Sequence, residues 1–207
     1  MVVGRVGAGS APGEDEVLLR GMEAFAELGY DRASARELAK RLGVNHNFIN
    51  DRYGSKANFW RAVVDRALHW EQRKRQEILD AEMDDADRVR AVIELFYRAS
   101  VHTPLLGRLL ADEFCRESER LDYFFDNYVA PTLASLQPAV DRLAAEGRIP
   151  ATPADVLFFA LISPVAGLVQ LPLATRLGRE QPITTESQER TARQLADLVL
   201  SGLFGRR

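Results

Sequence analysis

The chain has 207 residues, 46% of them hydrophobic and 28% charged, with a formal net charge of −3. That length holds one large or two small domains, and the balance suits a soluble globular protein rather than one coated in positive charge. A single cysteine, Cys115, excludes an intrachain disulfide and fits a reducing cytoplasm; a small buried hydrophobe is the expected state there.

Residues 2–13, VVGRVGAGSAPG, are Gly-rich and lack the sustained apolar core of a signal peptide. They read as a flexible arm over 1–13, with Arg5 a candidate for the minor groove. A first helix follows over about 14–28, with acids in its first turn and an apolar stripe of Val17, Leu18, Gly21, Met22, Phe25 and Leu28. Gly29 can end it. Ser34 stands three residues before Glu37, the spacing of a capping box, and opens a second helix that buries Leu38, Ala39 and Leu42. Gly43 and Val44 form a turn, and Asn45 is an N-cap for a short helix over about 46–52 that carries Ile49 and Tyr53 inward.

A long fourth helix should run from Ser55 to about Met83, with Phe59, Trp60, Val63 and Leu68 buried and a densely charged, solvated second half. It belongs to both predicted domains and is the natural lever between them. Further helices follow over about 85–101, from Thr103-Pro104 to about 116, and over about 118–146 with a kink or break at Pro131 and Pro138. Thr152-Pro153 opens another to about 177, and Thr184-Thr185-Glu186 the last, to about Leu203. The fold class is therefore all-α: an N-terminal three-helix domain over 14–60 and a larger helical domain over 61–207, about nine helices in total.

Residues 45–52 leave His46, Asn47, Asn50 and Arg52 on an outer face. Asn can bond an adenine edge in two places, and Arg or His can reach guanine or phosphate. Phe48 can pack on a thymine methyl or be half buried. Ser55 and Lys56, at a helix start, suit a phosphate. From Gly29 to Arg61 there are seven basic residues against three acidic ones, a local excess on a chain that is negative overall.

The run GYDRASARELAKRLGVNHNFINDRYGSK resembles the DNA-binding segment of TetR-family transcriptional regulators over roughly 14–70, with the helix-turn-helix at Ser34 to Tyr53. The resemblance implies a dimeric repressor on a palindromic operator, and a DNA-binding set of Ser34, Arg36, Asn45, His46, Asn47, Phe48, Asn50, Arg52 and Lys56. Three positions depart from the family: Asn50 where a Tyr is usual, Phe48 where a small hydroxyl residue is usual, and Arg52 where His is frequent. All three lie on the reading face, so they leave the operator sequence open.

The resemblance also implies a C-terminal ligand-binding and dimerisation domain. Val156 to Thr175 carries no charge. Its length would span a membrane, but Pro164, Gly167, Gln170 and Pro172 argue for a helix buried on several sides. Paired with the last helix across a two-fold axis, it would bury Phe158, Leu161, Val165, Leu168, Val169, Leu195, Leu198 and Val199. Phe96, Tyr97, Phe114, Tyr123, Phe124, Tyr128 and Phe159 are candidates for an apolar effector pocket, or are simply core.

His46, His69 and His102 show no metal-ligand spacing, and no phosphate loop, triad or metal cluster stands out, so neither metal, cofactor nor enzyme activity is expected. The expected function is a cytoplasmic, ligand-responsive repressor. The alternative is a helical protein-binding adaptor whose reading helix has lost DNA.

Overall fold

The computed structural model describes residues 13–205, so the N-terminal arm and Arg5 lie outside the described residues. Every regular element among the described residues is a helix, and the chain divides into two compact units between Arg66 and Ala67, inside the longest helix.

The first unit holds α1 (Glu14–Leu28), α2 (Ala35–Leu42), α3 (Phe48–Tyr53) and the start of α4 (Lys56–Asp80). The acids Glu14, Asp15 and Glu16 sit in the first turn of α1, and the Gly29 N–H closes its end on the Phe25 carbonyl. Val17, Leu18, Gly21, Met22 and Phe25 are buried as one stripe. Gly21 is needed there: a Cβ would lie 2.6 Å from Phe59 Cζ and 2.9 Å from Val63 Cγ2, both fully buried α4 side chains. The absent side chain lets α1 and α4 approach, and Phe59 completes the core against Phe25 and Tyr53 at ring separations of 5.8 and 4.9 Å.

The second unit holds the rest of α4, then α5 (Asp85–His102), α6 (Pro104–Glu113), α7 (Glu119–Phe124), α8 (Ala130–Ala145), α9 (Ala154–Ile162), α10 (Ala166–Val169), α11 (Leu171–Arg176) and α12 (Thr185–Phe204). Its core gathers Val89, Ile93 and Tyr97 of α5, Ala139 and Leu143 of α8, Ile149, Leu168, and the stripe Ala192, Ala196, Leu200 and Leu203 of α12. Arg88 stops α4 short of the expected Met83: its guanidinium donates to the Ile78, Leu79 and Ala81 carbonyls at 2.9, 2.5 and 2.9 Å, where a helix C-terminus attracts a cation. Asp84 and Asp85, at the start of α5, take two-pronged bonds from Arg148 and Arg142.

Two predicted helices are segmented. Between α7 and α8 the chain makes a π-turn over Phe125–Val129, directly before Pro131. Pro131 has no N–H and its ring crowds the carbonyl four residues back, which the wider turn relieves. Pro138 sits inside α8 without breaking it. The stretch expected as one helix to 177 is α9, a 3₁₀ turn over Ser163–Val165, α10 and α11, with breaks at Pro164 and just before Pro172. The carbonyls freed there are taken from α12 and its approach. Gln188 Nε2 donates to Leu168 O at 3.0 Å, and Arg179 Nη1 donates to Gly167 O at 2.7 Å and to Gln188 Oε1 at 3.0 Å. No described helix is long and apolar enough to cross a membrane.

The charged half of α4 is less solvated than its composition predicts. Glu71 and Arg75 form an ion pair at 3.2 Å with side chains only 16% and 15% exposed. Cys115 departs the other way: it is exposed in the turn that follows α6, its Sγ 3.6 Å from the Ala111 carbonyl.

Candidate nucleic-acid interface

The reading segment is built from its caps. Ser34 Oγ accepts from the Glu37 N–H at 3.2 Å, which starts α2 where expected. Only half of the capping box forms, because the Glu37 carboxylate turns to Arg41 Nε at 3.3 Å. Gly43 takes the left-handed conformation (φ 70°, ψ 30°) that a residue with Cβ adopts only under strain, and the Val44 N–H then bonds the Ala39 carbonyl at 3.0 Å. Arg20 of α1 reaches across to the Leu42 carbonyl at 3.0 Å, fastening the end of α2. Asn45 Oδ1 accepts from the Asn47 N–H at 3.0 Å, so it caps a turn and α3 begins later than expected, at Phe48.

Burial separates scaffold from face. Leu38, Ala39, Leu42 and Ile49 are fully buried. Ser34, Arg36, Asn45, His46, Asn47, Asn50 and Arg52 are exposed, while Phe48 and Lys56 are partly covered. A groove of about 550 Å³ is lined by Ser34, Arg36, Glu37, Ala39, Lys40, Val44 and His46. Lys40 is a cation of this face absent from the predicted set. Its place four residues after Arg36 on a helix was the available signal.

The cations differ in what holds them. Among the described residues, Arg36 and Lys40 form no ion pair. Arg41 is held by Glu27 and Glu37, and those two carboxylates raise its pKa. Arg52 pairs with Glu14 of α1 at 2.9 Å, and that hydrogen-bonded carboxylate raises the Arg52 pKa. Lys56 Nζ donates to the Tyr30 carbonyl at 3.0 Å and lies 4.0 Å above the Tyr30 ring, so it pins the α1–α2 loop. Phe48 rests edge-on against Tyr53 at 6.4 Å, so it is the half-buried member of the face.

A short helix carrying exposed Asn50 and Arg52, preceded by a turn with exposed His46 and Asn47 and joined through the left-handed Gly43 to a capped helix over a buried Leu/Ala/Ile scaffold, is a helix-turn-helix. Residues 17–63 match the family model described as bacterial regulatory proteins, tetR family. The chain carries the TetR-family DNA-binding domain. The TetR fold extends beyond the matched residues. A TetR family transcriptional regulator, PfmR from Thermus thermophilus, superposes with a TM-score of 0.68 at 19% identity, covering 96% of this chain and 100% of that one. A proposed fatty acid metabolism regulator of Clostridium perfringens gives a TM-score of 0.72 at 12% identity over 92% and 100%. The transcriptional regulator FadR from Bacillus subtilis, in complex with stearoyl-CoA, gives 0.64 at 14% over 91% and 98%. At these identities the likeness is one of fold. No curated protein matches.

The structure places the residues expected to form a pocket and a dimer interface in the second unit unevenly. Tyr97 is core, and its hydroxyl donates to the Leu161 carbonyl at 2.7 Å; burial pushes its pKa up to about 12. Phe96 packs against the same core. Phe114, Phe124, Tyr128 and Tyr123 form a separate chain of ring contacts at 5.3 to 6.4 Å. Phe159 is 63% exposed, so it lines no closed pocket. None of these seven lines the cavity of about 640 Å³ between α4 and α5, whose walls are Ala67, Trp70, Glu71, Lys74, Arg98, Ala99, His102 and Thr103.

Of the residues expected between protomers, Leu168 is 1% exposed inside the protein's own core and has no surface left for a partner. Leu161, Val165, Leu195 and Val199 pack partly against that core. Val169 lies over Gly107, its Cγ2 2.9 Å from where a Cβ would stand. Phe158 is partly covered, and Leu198 is exposed. α9 itself buries no residue, although Val156 to Ile162 is apolar throughout.

Proposed function

We propose that this protein is a cytoplasmic, ligand-responsive transcriptional repressor that binds a palindromic operator as a homodimer and is released by a small effector. The observation that carries the reading is the division of the TetR domain into a buried scaffold and an exposed polar face of Arg36, Lys40, His46, Asn47 and Asn50. One six-residue helix touches few base pairs, so a two-fold pair of heads is what gives useful affinity. The exposed apolar side chains Val156 and Phe159 of α9, with Leu198 on α12, are suited to hold that pair together. FadR, which shares the fold, is complexed with stearoyl-CoA, which supports a small-molecule effector for the second unit here. An effector acts only through its different affinity for the DNA-competent and incompetent states. α4 contributes to both units and is the element that would carry the difference.

The test is a gel shift on the DNA upstream of the protein's own gene. Sequence-selective binding that weakens steeply between about 50 and 200 mM salt supports the repressor. Absence of binding even at low salt supports instead the protein-binding adaptor.

A further inference from the structure

The cavity between α4 and α5 belongs wholly to the second unit. Its α4 wall is Ala67, Trp70, Glu71 and Lys74, spaced three, four and seven apart and so on one helix face. Its α5 wall is Arg98, Ala99 and His102, closed by Thr103. About 640 Å³ is a volume suited to a small molecule. Trp70 stands 47% exposed on this wall, a large apolar surface beside two alanines.

The charge on the walls is biased. The one lining carboxylate, Glu71, is already matched by Arg75 at 3.2 Å. Among the described residues Arg98 forms no ion pair. Lys74 holds the exposed Glu77, three residues along its own helix, and His102 Nε2 stands 3.8 Å from Glu189. An incoming cation would meet Arg98 and Lys74 with no unmatched carboxylate to receive it. A neutral molecule would use the indole and leave the guanidinium idle. We propose that this cleft binds an amphipathic carboxylate, its apolar part along Trp70, Ala67 and Ala99 and its head on Arg98, with Lys74 and His102 at hand. Guanidinium pairs with carboxylate through two parallel N–H bonds, which fixes the orientation of the head. This deepens the ligand-responsive reading: it gives the effector a charged head as well as an apolar body, and it rests on that reading for its effect on DNA.

The test uses the full chain with octanoate, octanol and octylammonium, three probes with one tail and different heads, followed by calorimetry and by Trp70 emission. Octanoate should bind one molecule per chain, tighter than either other probe by about tenfold or more, the worth of one charge-assisted hydrogen bond. Arg98→Gln, an exposed change that leaves the core alone, should remove that preference while octanol binding stays as it was. The emission change should vanish in Trp70→Phe. Equal binding of the three probes, or an unaltered preference in Arg98→Gln, overturns the site. So does a Trp70 emission that follows protein concentration and ignores octanoate, which assigns the cleft to a second copy of the chain. Octanoate bound with operator affinity unchanged supports the site and refutes ligand release. Operator binding intact with no octanoate bound refutes the site and leaves the DNA reading standing.

Discussion

The α2–α3 face and α9 are both left open to solvent, and they are opposite in kind. On the first, side chains alternate by burial: Leu38, Ala39, Leu42 and Ile49 are sealed beneath, and what remains outside is polar, mostly Arg, Lys, His and Asn with the acids Glu37 and Asp51 among them. On α9 the sorting is weak: apart from Asp155 in its first turn the helix is apolar, Leu157 and Leu161 pack only partly against the core, and none of its residues is fully buried. A polar face over a packed scaffold is complete in water, and on the reading proposed above its partner is DNA. An apolar helix only partly covered is incomplete in water and calls for another apolar surface. The two faces therefore separate by how they should fail: one through its scaffold, the other through its surface.

The largest effect is expected where the polar face depends on what lies under it. Phe59 is fully buried and touches Phe25 and Tyr53, so its ring supports α1 and α3 together. Phe59→Ala should cost about 3–5 kcal/mol and abolish operator binding with every reading residue intact. Thermal unfolding followed by circular dichroism checks the cost. Operator affinity surviving that loss would break the link between scaffold and face.

On α9 the same logic runs in reverse. Phe159 is 63% exposed, so Phe159→Glu should leave the melting temperature almost unmoved. It should instead raise the dimer dissociation constant by roughly 30-fold or more, as an interface anchor does. Sedimentation equilibrium reads this directly, and an unchanged association state would remove α9 from the interface.

The first unit was the more legible of the two in sequence. Its helices begin and end on residues whose chemistry is local: acids and Gly29 for α1, Ser34 and Gly43 for α2, Ser55 for α4. Such signals need no knowledge of the rest of the fold. The second unit depends on long-range partners. That the stretch ending near 177 breaks at Pro164 was signalled by the proline. That the break is tolerated depends on Gln188 and Arg179, which come from further along the chain. The burial of Glu71 with Arg75, the exposure of Cys115 and the approach of Arg98 and His102 to Trp70 all turn on which faces of distant helices meet. Periodicity within one helix carries none of that.

A smaller effect separates reading from holding within the polar face. Asn50 is exposed on α3, where Asn can address adenine. Asn50→Ala should cost about 1–3 kcal/mol on the best site and relax selectivity at one base pair. Arg36→Ala should weaken all sequences alike and lower the salt slope by about 1, as a phosphate contact does. Binding isotherms at several salt concentrations on matched and altered sites tell these apart, and identical profiles for the two variants would refute the division.

Acid should discriminate between the units as well. Asp84 caps α5 and accepts from Arg148, and together with the Ala86 N–H this lowers its pKa from 3.8 to about 2. A carboxylate lowered in the folded state stabilises above its ordinary pKa and loses that contribution as pH falls through the folded value. The latch between α5 and the end of α8 should therefore weaken between about pH 4 and 2. Asp84→Asn should flatten the pH dependence in that window, as read by urea midpoints at stepped pH. An unaltered profile would show that Asp84 does not set the acid limit.

The smallest effect lies where the two kinds of surface logic meet, at Arg52. It belongs to the reading helix, yet Glu14 of α1 holds its guanidinium at 2.9 Å, with both side chains about half exposed. An exposed pair of this sort is weak, and a phosphate bearing full negative charge can replace the carboxylate. Binding then includes the loss of one internal ion pair, a cost that Arg36 and Lys40 do not carry. Glu14→Gln should remove it and raise operator affinity by less than about fivefold. The gain should disappear in an Arg52→Gln background, where there is no guanidinium to release. Removing an acid near DNA also raises affinity at long range, and that effect would persist in both backgrounds. A double-mutant cycle in the gel shift distinguishes the two. Equal gains with and without Arg52 would mean that Glu14 merely repels DNA and that Arg52 takes no part in holding it.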